Sequence, residues 1–222
     1  MRAVLFDLDS TLLDTHALYA EAYARAFRDE GVAMPGPAEL RRRPPTSELT
    51  YLTERYGDGA ARRLHGAMLS AYRELAPGHL RRGFFAGIVE VLAAIERAAL
   101  RTGIVTGKSR AAFEVTCSHV TALRERFEVV VVEDDVPRPK PDPSGIRRAL
   151  QALDVAPHDT VYVGDHPADG TAAQRAGAVG ARSFWHRPAG ERPALASSVG
   201  AGLWALLEPS DLLGRLGLSA LG

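Results

Sequence analysis

The sequence predicts an α/β fold: a doubly wound parallel sheet, interrupted after its first strand by an all-helical insertion. Three observations carry this. Residues 3–6 form a short apolar run of the kind buried on both faces of a parallel sheet, and the run stops at Asp7. From residue 84 onward, similar runs alternate with segments of helical period, as strands joined by crossover helices do. Residues 16–82 show only helical periodicity, so the expected boundaries are a core of 1–15 and 83–222 around an inserted helical domain of 16–82.

After the first strand, Tyr19, Tyr23 and Phe27 recur every four residues beside Leu18, Ala22 and Ala26, which makes an apolar helical face. Gly31 ends that helix and Pro35-Gly36-Pro37 marks a turn. Further helices are expected from Ser47 to Tyr56 and from Gly59 to Leu75, with Gly57-Asp58-Gly59 as the break and Pro77-Gly78 as the stop. Ile88, Val91, Leu92 and Ile95 form the next helical face, followed by a strand from Arg101 to Thr106. Ala111, Ala112 and Val115 suggest a helix, and the β-branched run from Phe127 to Val132 is too short for anything but a strand. Asp142-Pro143 reads as a helix start with Ile146, Ala149, Leu150 and Leu153 on its buried face. A strand from Thr160 to Val163, a helix from Pro167 to Ala176 with Gly177 after it, and a last strand from Ala178 to Trp185 complete the expected order.

Composition narrows the function. Lys+Arg and Asp+Glu both number 27, so the net charge is zero and no global field draws in nucleic acid or an anionic membrane. Cys117 is the only cysteine, so an intrachain disulfide is impossible and a reducing compartment is expected. Met-Arg-Ala-Val leads straight into a strand-like run without a signal-peptide core, and the apolar stretches at 88–95 and 199–207 are too short to span a bilayer. A cytoplasmic monomer or homodimer is the expectation. Only Lys108 and Lys140 are lysines among the 27 basic residues, so each can be judged individually.

The chemistry gathers at strand ends. Asp7 and Asp9 follow the first strand; alone, the pair fits a polar loop as well as a metal-assisted nucleophile. The second strand ends in Thr106-Gly107-Lys108, offering a hydroxyl and a backbone amide that a ligand can approach closely. Lys140 lies between prolines in Pro139-Lys140-Pro141-Asp142-Pro143, and the later strand ends in Gly164-Asp165-His166-Pro167-Ala168-Asp169. In a parallel sheet these ends share one edge, where open α/β folds bind ligands. Lys108 is expected to face solvent or serve the helix it precedes.

The ordered motifs DLDSTLLD, VTGK, PKPDP and VGDHPAD resemble the haloacid dehalogenase (HAD) superfamily, and the insertion resembles its type 1 cap. The resemblance covers nearly the whole chain and is nearest the phosphoglycolate phosphatase-like branch. It implies a Rossmann-like core and a Mg²⁺-dependent phosphatase acting on a small phosphorylated metabolite. It makes Asp7 the nucleophile that forms an aspartyl-phosphate, and Asp9 the group that protonates the leaving alkoxide and then takes a proton from water. Metal ligands would be Asp7, Asp165 and the Asp9 backbone carbonyl, with Asp169 behind them or acting through water. Thr106 and the Gly107 amide would hold phosphoryl oxygens, and Lys140 would offset the carboxylates and steady both Asp7 and the phosphoryl group. Ser10 stands where the family commonly has glycine, and Gly107 where asparagine is frequent, so the turn after Asp9 is expected to differ in shape.

Other chemistries fit less well. Leu12 occupies the place of an EF-hand's glycine, and neither a HExxH nor a Walker or dinucleotide glycine pattern is present. Within the superfamily, Asp9 separates a phosphatase from a haloacid dehalogenase. The absence of lysine from 16–82 argues against a phosphonoacetaldehyde hydrolase, whose cap supplies a Schiff-base lysine. A β-phosphoglucomutase-like phosphomutase is the alternative, followed by a non-catalytic phosphate-binding or signalling module. Phosphoglycolate is the first substrate to test, then pyrophosphate, sugar phosphates and nucleotides. Thr15 and His16 either face the cleft or start a helix that Thr15 caps. Arg41, Arg42 and Arg43 are either an anion grip or a solvated run.

Overall fold

The structure is a computed structural model that describes residues 1–36 and 48–219. Pro37, Ser47 and the arginines at 41, 42 and 43 lie outside the described residues. A six-stranded sheet is built from β1 (Ala3–Phe6), β2 (Arg101–Val105), β3 (Val129–Val131), β4 (Thr160–Gly164), β5 (Val179–Ser183) and β6 (Leu203–Leu206), in the order β3-β2-β1-β4-β5-β6. Every pairing is parallel, with Ala3 opposite both Arg101 and Thr160. The chain winds outward from β1 in both directions, so a topological switch point falls at the C-terminal end of β1 beside β4.

Helices cover both faces. Val4 and Phe6 join a core with Ile88, Val91, Leu92 and Ile95 of the helix Ile88–Arg97, whereas Ala3 and Leu5 pack with Ile146, Ala149, Leu150, Ala172 and Ala173 on the other side. All four side chains of β1 are fully buried, which is why that strand reads as an unbroken apolar run rather than an alternating one.

Between β1 and β2 the described residues form α1 (His16–Asp29), α2 (Glu48–Tyr56) and α3 (Asp58–His79). Phe27, Leu52, Ala61 and Leu64 make a small core of their own, while Leu18, Ala22, Met68 and Tyr72 pack into the main one. The segments that enter and leave these helices lie side by side: Leu13 bridges Phe84, and the Phe85 amide donates to the Leu12 carbonyl at 2.9 Å.

Two expectations need correction. Helix α3 runs through Pro77 to His79. A proline removes one N–H from the ladder, and here the last turn is still closed by the Leu80 amide donating to the Ala76 carbonyl, with both residues buried. A strand, β6, follows β5, which spans only Val179–Ser183. Four residues at a half-buried sheet edge carry too little periodicity to separate from a generic apolar stretch. Ser10 takes the left-handed conformation at φ 61°, where glycine is favoured, so serine bears a local strain of about 1 kcal/mol. Three consecutive amides, those of Thr11, Leu12 and Leu13, converge on the Leu8 carbonyl and hold that turn.

Candidate active site

Asp7 continues the ladder past the end of β1. Its amide donates to the Val163 carbonyl at 2.8 Å, so its backbone is fixed against β4. The residue is only 6% exposed, and its Oδ1 accepts from Lys140 Nζ at 2.6 Å. The same ammonium reaches Asp169 Oδ1 at 2.7 Å and the Tyr162 hydroxyl at 2.8 Å. Tyr162 in turn donates to the Val105 carbonyl at 2.7 Å, tying the ends of β2 and β4 to the lysine. Sequence reasoning missed Tyr162. The available signal was a phenol hydroxyl within the buried strand Thr160–Gly164, which must find a partner.

Asp165 comes from the turn between β4 and α8 (Pro167–Ala176) and Asp169 from the first turn of that helix, the helices between α3 and α8 being α4 (Ile88–Arg97), α5 (Arg110–His119), α6 (Ala122–Glu125) and α7 (Ser144–Leu153). Asp169 Oδ2 accepts from the His166 amide at 2.9 Å, and His166 Nδ1 accepts from the Ala168 amide at 3.2 Å, so the helix start and the site share one carboxylate. Gly164 makes this approach possible, because a Cβ there would lie 2.3 Å from Asp169 Oδ2. Gly164→Ala is therefore expected to push Asp169 off Lys140. It should cut turnover by about 100-fold or more, a fall that steady-state kinetics would show, on the scale that misplaced catalytic groups cost.

Carboxylate oxygens of Asp7, Asp165 and Asp169 come within 4.8 Å of one another. Burial pushes Asp7 up to about 8, against the pull of Lys140 and with help from Asp169, Asp165 and Asp9. Burial and Asp169 likewise raise Asp165 to about 7. For Lys140, burial alone would lower the pKa, but Asp169 and Asp7 more than reverse it, so it stays an ammonium. An all-oxygen cluster with this surplus of negative charge fits a hard divalent cation.

A pH dependence follows. The folded carboxyls hold protons up to about 7 and 8 that the unfolded chain releases near its ordinary value of 3.8. Without a cation, stability therefore falls as pH rises from roughly 4 to 8, since the folded state binds more protons across that window. Protons and cation compete for the same oxygens, so added Mg²⁺ should raise the unfolding temperature more at pH 8 than at pH 6. Thermal unfolding with and without Mg²⁺ measures this, and an equal shift at both pH values would refute it.

Lys108 overturns its expectation. It is 3% exposed, and its Nζ reaches Asp9 Oδ1 at 2.9 Å, the Tyr19 hydroxyl at 2.7 Å and the Tyr72 hydroxyl at 3.0 Å. Burial would lower its pKa, yet Asp9 and Tyr72 outweigh that and keep it charged. The reason for the difference is that α1 and α3 close over the end of β2 and leave no solvent for the lysine to reach. Thr15 does not cap α1; its hydroxyl donates to Asp9 Oδ1 at 2.6 Å, while His16 is exposed. Thr106 is buried with its Oγ1 accepting from the Lys108 amide at 3.2 Å. Gly107 is exposed, and a Cβ there would meet nothing within 4 Å. The structure thus brings Asp7, Asp165, Asp169 and Lys140 into one cluster and sets Asp9 beside Lys108 and Thr15.

Residues 4–181 match the family described as haloacid dehalogenase-like hydrolase. Over 178 residues the chain is 32% identical to validoxylamine A 7'-phosphate phosphatase of Streptomyces hygroscopicus subsp. limoneus, which spans 79% of this chain and 82% of that one. It is 31% identical over 194 residues to pyrophosphatase PpaX of Bacillus velezensis, covering 82% of this chain and 83% of the relative. Its fold matches the crystal structure of CbbY from Rhodobacter sphaeroides in complex with phosphate, with a TM-score of 0.77, 28% identity and 96% of each chain covered.

Proposed function

Since the chain belongs to the haloacid dehalogenase-like hydrolases and is a phosphatase of that family, we propose that it hydrolyses a small phosphomonoester through an aspartyl-phosphate on Asp7, with Mg²⁺ as cofactor. The observation that carries this is the buried Asp7 carboxylate, held on one oxygen by Lys140 within a cluster of carboxylates at the switch point of the sheet. Mg²⁺ held by Asp7, Asp165 and the Asp9 carbonyl, with Asp169 behind them, would supply the positive charge that lets a carboxylate approach a phosphate dianion.

The remaining work falls to the chain itself. An Asp7 oxygen bonds to phosphorus as the ester P–O bond breaks, and Asp9 gives its proton to the departing alkoxide. Asp9 then accepts a proton from the water that displaces Asp7 and releases phosphate. Lys140 holds Asp7 in line and offsets charge on the phosphoryl oxygens, and the Thr106 hydroxyl and Gly107 amide receive those oxygens. Residues 16–82 act as the cap that excludes water and selects the substrate, entering and leaving at the adjacent Leu13 and Phe84. A reducing compartment, the cytoplasm, is the proposed location, a reading that the single cysteine supports.

Phosphoglycolate heads the substrate panel, followed by pyrophosphate, sugar phosphates and nucleotides, and the likeness to a validoxylamine A 7'-phosphate phosphatase adds that phosphate ester. A phosphate-release assay over that panel, with and without Mg²⁺, should show Mg²⁺-dependent release that Asp7→Asn abolishes. Normal turnover by Asp7→Asn would sink the nucleophile assignment. Interconversion of sugar phosphates without phosphate release would favour a mutase, and tight binding without turnover a signalling module.

A further inference from the structure

We infer that Lys108 is a positioning residue for Asp9: with Thr15 it engages one carboxylate oxygen, leaves the other as the only proton carrier, and makes that arrangement depend on the seating of α1 and α3. This rests on the proposed role of Asp9 as the proton donor to the leaving group.

The geometry supports each part. Asp9 Oδ1 accepts from Lys108 Nζ at 2.9 Å and from Thr15 Oγ1 at 2.6 Å. Among the described residues no hydrogen bond is made to Oδ2. With Oδ1 engaged by two donors, a proton on that oxygen would have to break one of them. Oδ2 is therefore the oxygen that gives a proton to the ester oxygen as the P–O bond breaks and the Asp7–phosphorus bond forms.

An ammonium has three N–H groups, and here each has an acceptor: Asp9 Oδ1, the Tyr19 hydroxyl and the Tyr72 hydroxyl. Its side chain is fully buried, so no donor is left to grip a substrate phosphate directly. The direction of the outer bonds can be deduced. Thr116 Oγ1 donates to the Ala112 carbonyl at 2.9 Å, which commits its single proton, so at the 3.0 Å contact with Thr116 the Tyr72 hydroxyl is the donor. Tyr72 consequently accepts from Lys108, and the chain runs one way, from Lys108 through Tyr72 and Thr116 to the backbone of α5. The ammonium also lies 4.2 Å and 4.8 Å from the ring centroids of Tyr19 and Tyr72. Tyr19 sits on α1 and Tyr72 on α3, so a displaced insertion takes two of the three acceptors away from the lysine.

A positioned general acid matters most when the leaving group is a strong base. The test compares kcat/KM for phenyl phosphate and dinitrophenyl phosphate, which differ chiefly in leaving-group basicity; kcat/KM reports events up to transfer onto Asp7. Lys108→Met is expected to lose about 30-fold on phenyl phosphate and less than about threefold on dinitrophenyl phosphate, within the range that general acids contribute. Tyr72→Phe keeps the ring and removes the hydroxyl, so it should show the same selectivity at about one third of that loss. It carries the test if Lys108→Met does not fold. Equal losses on both substrates, or none on either, would overturn the inference, since a merely structural lysine has no reason to discriminate leaving groups. Asp9→Asn is the reference: if it keeps full activity on phenyl phosphate, the proposed role of Asp9 itself has failed, whatever Lys108 does.

Discussion

Asp7→Asn is expected to lose at least about 10⁴-fold in kcat while remaining folded, because an amide cannot form the aspartyl-phosphate of the proposed reaction. Folding should survive because asparagine matches the protonated carboxyl in shape. Burial already raises Asp7 to about 8, so in the metal-free protein at neutral pH the side chain is mostly neutral. The amide oxygen can still accept from Lys140, which keeps its contacts to Asp169 and Tyr162. Near pH 4 the change in metal-free unfolding free energy should stay within about 1 kcal/mol, the scale of one exchanged hydrogen bond; toward neutral pH the variant should become the more stable protein, since it escapes the proton uptake that folding imposes on Asp7. The Mg²⁺-induced rise in unfolding temperature should shrink sharply, because one carboxylate of the cluster has gone. Rapid-quench assays and thermal unfolding with and without Mg²⁺ measure both. Turnover within tenfold of the wild type would remove Asp7 from the reaction.

Much of the fold was readable because its strands are short apolar runs that end in polar residues, and β1 ending at Asp7 is the clearest case. The parallel order followed from alternation with helices such as Pro167–Ala176, whose limits agree with the sequence reading. What escaped had a physical cause. Strand β6 is a four-residue edge strand whose pairing with β5 is a tertiary fact. Tyr162 looked like one more core residue until its hydroxyl was found on Lys140 and the Val105 carbonyl.

Lys108 shows the limit most clearly. Its sequence neighbours are polar, and its partners Asp9, Tyr19 and Tyr72 lie 99, 89 and 36 residues away. No local pattern can report a partner at that separation. Thr15 sits where a helix cap belongs, and only the folded loop turns its hydroxyl toward Asp9. Motifs at strand ends thus indicate which groups converge on a site. The residues that hold those groups in place come from distant elements and become visible only in three dimensions.

Lys140→Met should be the most destabilising change in the site and should also remove nearly all activity. Lys140 is the cation between Asp7 and Asp169, at 2.6 and 2.7 Å, with all three side chains largely buried. Removing one partner of such a group leaves uncompensated buried charge, which costs about 3–5 kcal/mol. The cost must depend on pH. Without Lys140, Asp7 loses the charge that now opposes its raised pKa, so it stays protonated to higher pH. A protonated Asp7 escapes its share of the penalty, while Asp169 still loses its cation. The deficit is therefore smaller near pH 6, grows as pH rises past about 8 and the Asp7 carboxyl must ionise, and is partly restored by Mg²⁺. Urea unfolding at pH 6 and pH 9, with and without Mg²⁺, checks this; equal deficits in all conditions would contradict it. Mg²⁺ should not restore turnover, which is expected to stay about 10³-fold down, in line with the loss of a preorganised charge in a water-poor site. Lys140→Arg should not rescue it either. A planar guanidinium cannot place one nitrogen against Asp7, Asp169 and Tyr162 together, as the compact ammonium does.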